Sequence, residues 1–235
     1  MLLEYGNKPV ATHTLDRPIW AALTSRQSGF ALGGALARRF EPEVGAFVDT
    51  LDDSDASLAA MKALVPEDGF VYRLSAQAHP LPPGLVAEVT AMGVQMVADA
   101  FEPTPHPPEL LRMGEADVSE MLALTALTKP GPFFRRSHEL GRYWGIREYG
   151  RLAAMAGERL SLDGFTEVSG VCTHPDFQGR GYAAKLSKAV ASLIVQRGDQ
   201  PFLHAYAENA GAIRLYEALG FRWRADVHVA VLRHG

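Results

Sequence analysis

Between Glu102 and Pro108 the chain places four prolines within six residues: Pro103, Pro105, Pro107 and Pro108. Each fixes φ and removes a backbone donor, so neither a helix nor a central strand runs through the segment. The 235 residues are therefore read as two parts, 1–107 and 108–235. A second cluster, Pro80-Leu81-Pro82-Pro83, marks a loop inside the first part.

The second part alternates cleanly in its period. Residues 110–113 predict a short strand, and a helix starts at Asp117 and ends before Lys129-Pro130-Gly131-Pro132. Strands follow over 144–149, 152–160 and 165–173. From 179 to 197 the apolar residues Leu186, Ala189, Val190, Leu193 and Ile194 fall on one helical face, and Gly198 stands where a helix-ending glycine belongs. A strand over 202–207 and a helix closed by Gly220 come next. Finally Phe221, Trp223, Ala225, Val227, Val229 and Val231 alternate with polar residues, the period of a half-buried strand. The order is β-α-β-β-β-α-β-α-β, with room for a short helix over 137–143. That is an α/β protein of the α+β mixed-sheet kind, not a doubly wound one.

The first part predicts strands over 36–40, 46–49 and 70–74, and a helix from Ser54 or Asp55 to 65. It carries no motif that points to chemistry.

Composition narrows the setting. An apolar share of 47% with 21% charged residues is that of a globular protein, and no apolar run nears the roughly 18–20 residues that cross a bilayer. The start, Met1-Leu2-Leu3-Glu4-Tyr5, has an early acid and no basic segment, which argues against a signal peptide. A single cysteine, Cys172, forms no internal disulfide and suits a reducing cytoplasm. A net charge of −4 gives no reason to expect nucleic-acid binding. The charge is uneven, with 7 basic against 13 acidic residues in 1–107 and 16 against 14 in 108–235. The eight histidines show no His-x-x-x-His or His-x-His spacing, so no metal is expected.

The slightly basic part also holds the most informative segment, Thr173-His174-Pro175-Asp176-Phe177-Gln178-Gly179-Arg180-Gly181-Tyr182-Ala183. A strand ends there and glycines lead directly into a helix. Free N–H groups at a helix start bind anions, and glycine lets the backbone approach a phosphate closely. Arg180 adds a charged donor. A plain tight turn would look the same, and neither a P-loop nor a dinucleotide-binding glycine pattern is present.

The run Gln178-Gly179-Arg180-Gly181-Tyr182-Ala183 resembles the Gln/Arg-x-x-Gly-x-Gly/Ala signature of the GNAT superfamily of N-acetyltransferases. Asn209-Ala210-Gly211-Ala212-Ile213-Arg214-Leu215-Tyr216-Glu217-Ala218-Leu219-Gly220-Phe221 is similar to that family's second hallmark. The resemblance covers 109–235 and extends to element order. It looks closest to the glycine N-acyltransferase-like branch, in which a smaller, degenerate GNAT-like half precedes the catalytic one.

The resemblance implies acetyl-CoA as acyl donor, with its pyrophosphate on the N–H groups of Gln178, Gly179, Arg180, Gly181, Tyr182 and Ala183. It implies pantetheine pairing with the backbone near Val171 and Thr173, a cofactor contact from Asn209, and Tyr216 near the sulfur. Glu167, eleven positions before Gln178, stands where some members carry a catalytic glutamate; Tyr216 stands where many carry the acid that protonates the thiolate. In a regular strand Glu167 shares a face with Ser169, Val171 and Thr173, and a bulge would shift that parity. Each has a bland alternative, a strand-edge glutamate and a core tyrosine. Cys172 invites an acyl-cysteine, but a small buried residue is the better reading.

The segment after the first helix of the second part occupies the place where the family walls its acceptor pocket. Phe133 and Phe134 could line that pocket, and Arg135 and Arg136 could clamp an acceptor carboxylate. The expected function is acetyl transfer from acetyl-CoA to a primary amine of a small molecule or peptide by direct attack. The rival is a catalytically silent CoA-binding module for interaction or regulation. The expected partner is the amine acceptor, without nucleic acid or membrane.

Overall fold

A computed structural model describes residues 13–235, so the reading of Met1–Tyr5 lies outside the described residues. The strands and helices of the first part are α1 (Pro18–Thr24), β1 (Ala31–Gly33), β2 (Ala37–Phe40), β3 (Val48–Thr50), α2 (Asp55–Leu64), β4 (Val71–Ser75) and β5 (Leu85–Val97). The second part supplies β6 (Leu111–Met113), α3 (Val118–Thr128), β7 (Tyr143–Glu148), β8 (Arg151–Leu162), β9 (Phe165–Thr173), α4 (Tyr182–Gln196), β10 (Gln200–Tyr206), α5 (Ala210–Ala218) and β11 (Arg222–His234). The expected order of the second part is the observed one. The short helix expected over 137–143 is a single 3-10 turn, Ser137–Leu140.

Eight strands form one sheet in the order β4-β11-β5-β10-β9-β8-β7-β6, and β1-β2-β3 form a small separate sheet. The proline-rich seam is thus an irregular link between β5 and β6, two strands of the same sheet. β5 lies between β11 and β10 and pairs antiparallel with both. Its sequence hid it: Leu85–Val97 is buried at one end and mostly exposed in its first half, so no single period runs through it.

One face of the sheet is covered by α4 and α5, where Leu186, Val190, Ile194 and Tyr216 pack on Val94, Met96, Val168 and Leu203. On the other face α1 places Ile19, Ala22 and Leu23 against Phe202, Leu160 and Val227. There α3 also sets Met121 and Leu124 beside Tyr143, Met155 and Cys172. α2 closes a further cluster with the small sheet through Met61, Val48 and Val71. No helix among the described residues is long and apolar enough to cross a membrane.

The feature that positions the site is a parting of two strands. β9 and β10 run parallel and pair only at Gln200↔Phe165, Pro201↔Thr166 and Phe202↔Glu167. Beyond Glu167, β9 stays with β8, whereas β10 stays with β5 through Tyr206. The facing backbone edges of both strands are therefore released into a cleft that opens from Glu167 onward.

Candidate active site

Two bulges shape β9 around this cleft. Met155 pairs with Cys172 and Gly157 with Ser169, so Gly170 and Val171 together oppose the single residue Ala156. Gly170 takes the left-handed φ of 62° that such a bulge requires, and Tyr143 packs where a β-carbon would project. The bulge reverses the parity expected for a regular strand. Val168 and Val171 face α4 and α5, and Cys172 turns to the α3 side. The second bulge lies on β8, where Arg159 and Leu160 oppose Glu167.

That second bulge surrounds the Glu167 carboxylate, which is fully buried. Arg159 Nε donates to Oε2 at 2.8 Å and Nη2 to Oε1 at 2.6 Å. The Leu160 N–H donates to Oε2 at 3.3 Å, and His204 Nδ1 lies 2.7 Å from Oε1. Burial alone would raise the carboxyl, but the Arg159 charge and the bonds from Arg159 and His204 outweigh it and hold it at about 2.

The network continues outward and fixes each partner. Arg224 Nη1 donates to Gln95 Oε1 at 2.8 Å, which sets the Gln95 amide so that its NH2 reaches His204 Nε2 at 3.0 Å and the Leu15 carbonyl at 2.8 Å. An amide NH2 only donates, so His204 accepts at Nε2 and carries its proton on Nδ1, toward Glu167. Arg224 in turn binds Asp16 at 2.5 Å. A residue of the first part, Gln95, thereby orients the imidazole beside the cleft.

A cavity of about 180 Å³ occupies the parting of β9 and β10. Val171, Ala212 and Tyr216 line it from the α4/α5 side, and Phe47, Tyr72 and Val227 from the other. His204, Tyr206, Asn209 and the Lys129–Pro132 loop complete its wall. Arg159 reaches its floor, with its guanidinium 4.7 Å from the Phe47 ring centre. Tyr216 is buried, and that burial, with the negative charge of Glu167, pushes its phenol up to about 12.

A groove of about 300 Å³ adjoins this cavity through the shared Val171 and is lined by Thr173 and the run Gln178–Ala184. Gly181, at φ 75°, is the N-cap of α4 and offers no capping side chain, so the first-turn N–H groups stay open. Added β-carbons at Gly179 and Gly181 would meet nothing within 4 Å, so both glycines face open space. The Gln178 N–H turns back onto the Pro175 carbonyl at 3.3 Å, so free donors begin one residue later than expected. Arg180 sits over the Phe177 ring at 5.2 Å. Tyr182 donates its hydroxyl to Glu148. Thr173 Oγ1 is buried without a partner.

The remaining expected residues fall differently. Asn209 uses its Oδ1 to cap α5 at Ala212 N, 3.0 Å away, while lining the cavity. Phe133 packs edge-on against Tyr143 with ring centres 5.5 Å apart and lines a small neighbouring cleft. Phe134 and Arg135 line neither cavity nor groove. Arg136 is already engaged: it binds Glu41 at 2.6 Å and Glu139 at 2.8 Å, tying the loop to the first part. Its Nε, Nη1 and Nη2 each already donate to a carboxylate of this chain. Cys172 is buried, which pushes its thiol up to about 11 and keeps it protonated. Among the described residues no group of three or more His, Cys, Asp or Glu side chains could hold a metal.

Residues 143–229, which run from β7 into β11 and include both signatures, match the family model described as FR47-like protein. A protein from Novosphingobium aromaticivorans assigned to the GNAT family of acetyltransferases is 39% identical, with 95% of this chain and 100% of that one aligned at a TM-score of 0.90. This chain belongs to the GNAT acetyltransferase family. A GCN5-related N-acetyltransferase from Kribbella flavida (18% identity, 91% and 92% coverage, TM-score 0.59) shares the fold. So does a GNAT acetyltransferase from Colwellia psychrerythraea (10% identity, 84% and 80% coverage, TM-score 0.52). No curated protein matches the sequence. GNAT acetyltransferases use acetyl-CoA.

Sequence reasoning missed four residues of this candidate site: Arg159, His204, Gln95 and Tyr72. Three of them carried a usable signal. Glu158-Arg159 is a charged pair inside the otherwise apolar run 152–162, and His204 and Gln95 each stand alone among apolar strand residues. Polar side chains in central strands are costly unless paired, so each asks for a partner. Only the register of two bulged strands says which.

Proposed function

We propose that this protein transfers the acetyl group of acetyl-CoA to a primary amine of a small molecule or peptide, by direct attack and without an acyl-enzyme. The observation that carries the reading is the parting of β9 and β10 after Glu167, which joins the glycine-lined groove to the Tyr216 cavity. The residues present fit the donor. The open N–H groups from Gly179 to Ala183 suit a pyrophosphate, and the released edge of β9 at Val171 and Thr173 suits the amides of pantetheine.

In the reaction, the amine nitrogen forms a bond to the thioester carbon, and the carbon–sulfur bond breaks. The amine gives up one proton, the departing sulfur takes one, and the products are an amide and a free thiol. Tyr216 holds the proton for the sulfur, since its phenol stays protonated at neutral pH. Glu167 is a positioning residue in this reading. Its carboxylate accepts from Arg159, Leu160 and His204, and so fixes the imidazole at the cavity wall. The protonated Cys172 thiol favours direct attack over a cysteine intermediate.

Kinship with the glycine N-acyltransferase-like branch is proposed on layout alone, a first part that feeds strands into the sheet of the second. A cytoplasmic setting is supported by the lone buried Cys172.

Release of free thiol from acetyl-CoA, screened across an amine panel, tests the function. Wild type is expected to turn over at least one amine class. Gly181→Glu should weaken acetyl-CoA binding about tenfold to a hundredfold by calorimetry, through repulsion of the pyrophosphate. Binding without thiol release on any amine would instead support the silent module, and unchanged binding in Gly181→Glu would move the cofactor elsewhere.

A further inference from the structure

The cavity that receives the acceptor is aromatic and positively charged. Phe47, Tyr72, Tyr206 and Tyr216 contribute rings to its wall, Lys129 contributes a cation, and Arg159 adds a guanidinium whose charge Glu167 balances. Among the described residues no carboxylate lines it, because the nearest, Glu167, lies fully buried behind Arg159. His204 has both nitrogens engaged, one toward Gln95 and one toward Glu167. The wall thus offers rings and cations, and no idle base.

That combination selects among amines. An alkyl amine with a pKa near 10.4 is neutral in roughly one molecule in 2,500 at pH 7. It needs a base to strip its proton, and a site for cations would supply carboxylates to hold it. Polyamines and basic peptides meet like charge here. An anilinium, by contrast, loses its proton well below neutral pH, so its nitrogen arrives ready to attack. The volume also fits: the cavity measures about 180 Å³, and an apolar cavity of about 150 Å³ accepts a benzene ring.

We propose that the acceptor is a weakly basic aromatic amine, uncharged or carrying an anionic substituent, bound among Phe47, Tyr72 and Tyr206. The proposal rests on the acetyl-transfer reading above and names its substrate class. Nitrogen attacks the thioester carbon, the sulfur departs and takes the Tyr216 proton, and the acylated nitrogen releases its extra proton to water. The phenol is then restored by a proton from water, so the exchange balances.

The test compares aniline, 4-aminobenzoate, benzylamine and spermidine as acceptors at pH 7, with free thiol and the acetylated amine both measured. Aniline and 4-aminobenzoate should exceed spermidine in kcat/KM at least tenfold, and benzylamine, aromatic but strongly basic, should fall between. Tyr206→Ala should raise the KM for aniline about threefold to tenfold and leave the KM for acetyl-CoA in place. Turnover in which spermidine or benzylamine is preferred overturns the acceptor class and spares acetyl transfer. Absence of turnover with every amine overturns acetyl transfer itself, and the acceptor class with it.

Discussion

Glu167→Ala is expected to lower the free energy of unfolding by about 3–5 kcal/mol, because it leaves Arg159 as an unpaired cation in the interior. Glu167 is fully buried and the Arg159 side chain is only 13% exposed, at the cavity floor, so water replaces the lost partner only in part. Glu167→Gln should cost less, since an amide oxygen still accepts from Arg159. Replacing both members with apolar residues should cost less than Glu167→Ala, as no charge is then stranded. Urea unfolding of Glu167→Ala, Arg159→Ala and the double variant measures this coupling, and simple additivity would contradict the pairing.

The same pair predicts a dependence on acid. The folded Glu167 carboxyl is held at about 2, below its ordinary value of 4.5. A carboxyl depressed by folding contributes stability that is complete above the unfolded value and disappears as pH falls through the folded one. The loss should therefore run from about pH 4.5 down to about pH 2, and Glu167→Gln should flatten the curve within that window.

Tyr216→Phe is expected to lower kcat by about 10²–10⁴ while acetyl-CoA affinity changes little. The ring stays in place to pack against Phe221, 6.1 Å away between ring centres, so the cavity keeps its wall. In the proposed reaction, only the proton for the departing sulfur is lost. Because the phenol titrates at about 12, no alkaline fall in wild-type kcat below that pH should come from Tyr216. A Phe variant with wild-type kcat would make the tyrosine a packing residue only.

The sequence showed the parts of this site more clearly than their relations. The helix over 179–197 and the turn before it were legible because the apolar period and the glycines are local signals. The strand carrying Glu167 was legible for the same reason, bounds included. What the carboxylate touches was not, since its partners sit on β8 and β10 and depend on a bulge that no period reveals. The partner of Arg136 was hidden on the same grounds: Glu41 lies 95 positions away. The long strand β5 was lost to its mixed burial, and with it went Gln95 and the join between the two parts. Local chemistry could be read along the chain; the pairing of distant charges could not.

A crystal structure of the protein with acetyl-CoA tests whether the donor lies in the parting of β9 and β10. The pyrophosphate is expected on the N–H groups between Gly179 and Ala183, the pantetheine along β9 at Val171 and Thr173, and the sulfur beside the Tyr216 hydroxyl. Acetyl-CoA bound outside the parting of β9 and β10, or with its sulfur remote from Tyr216, would contradict it.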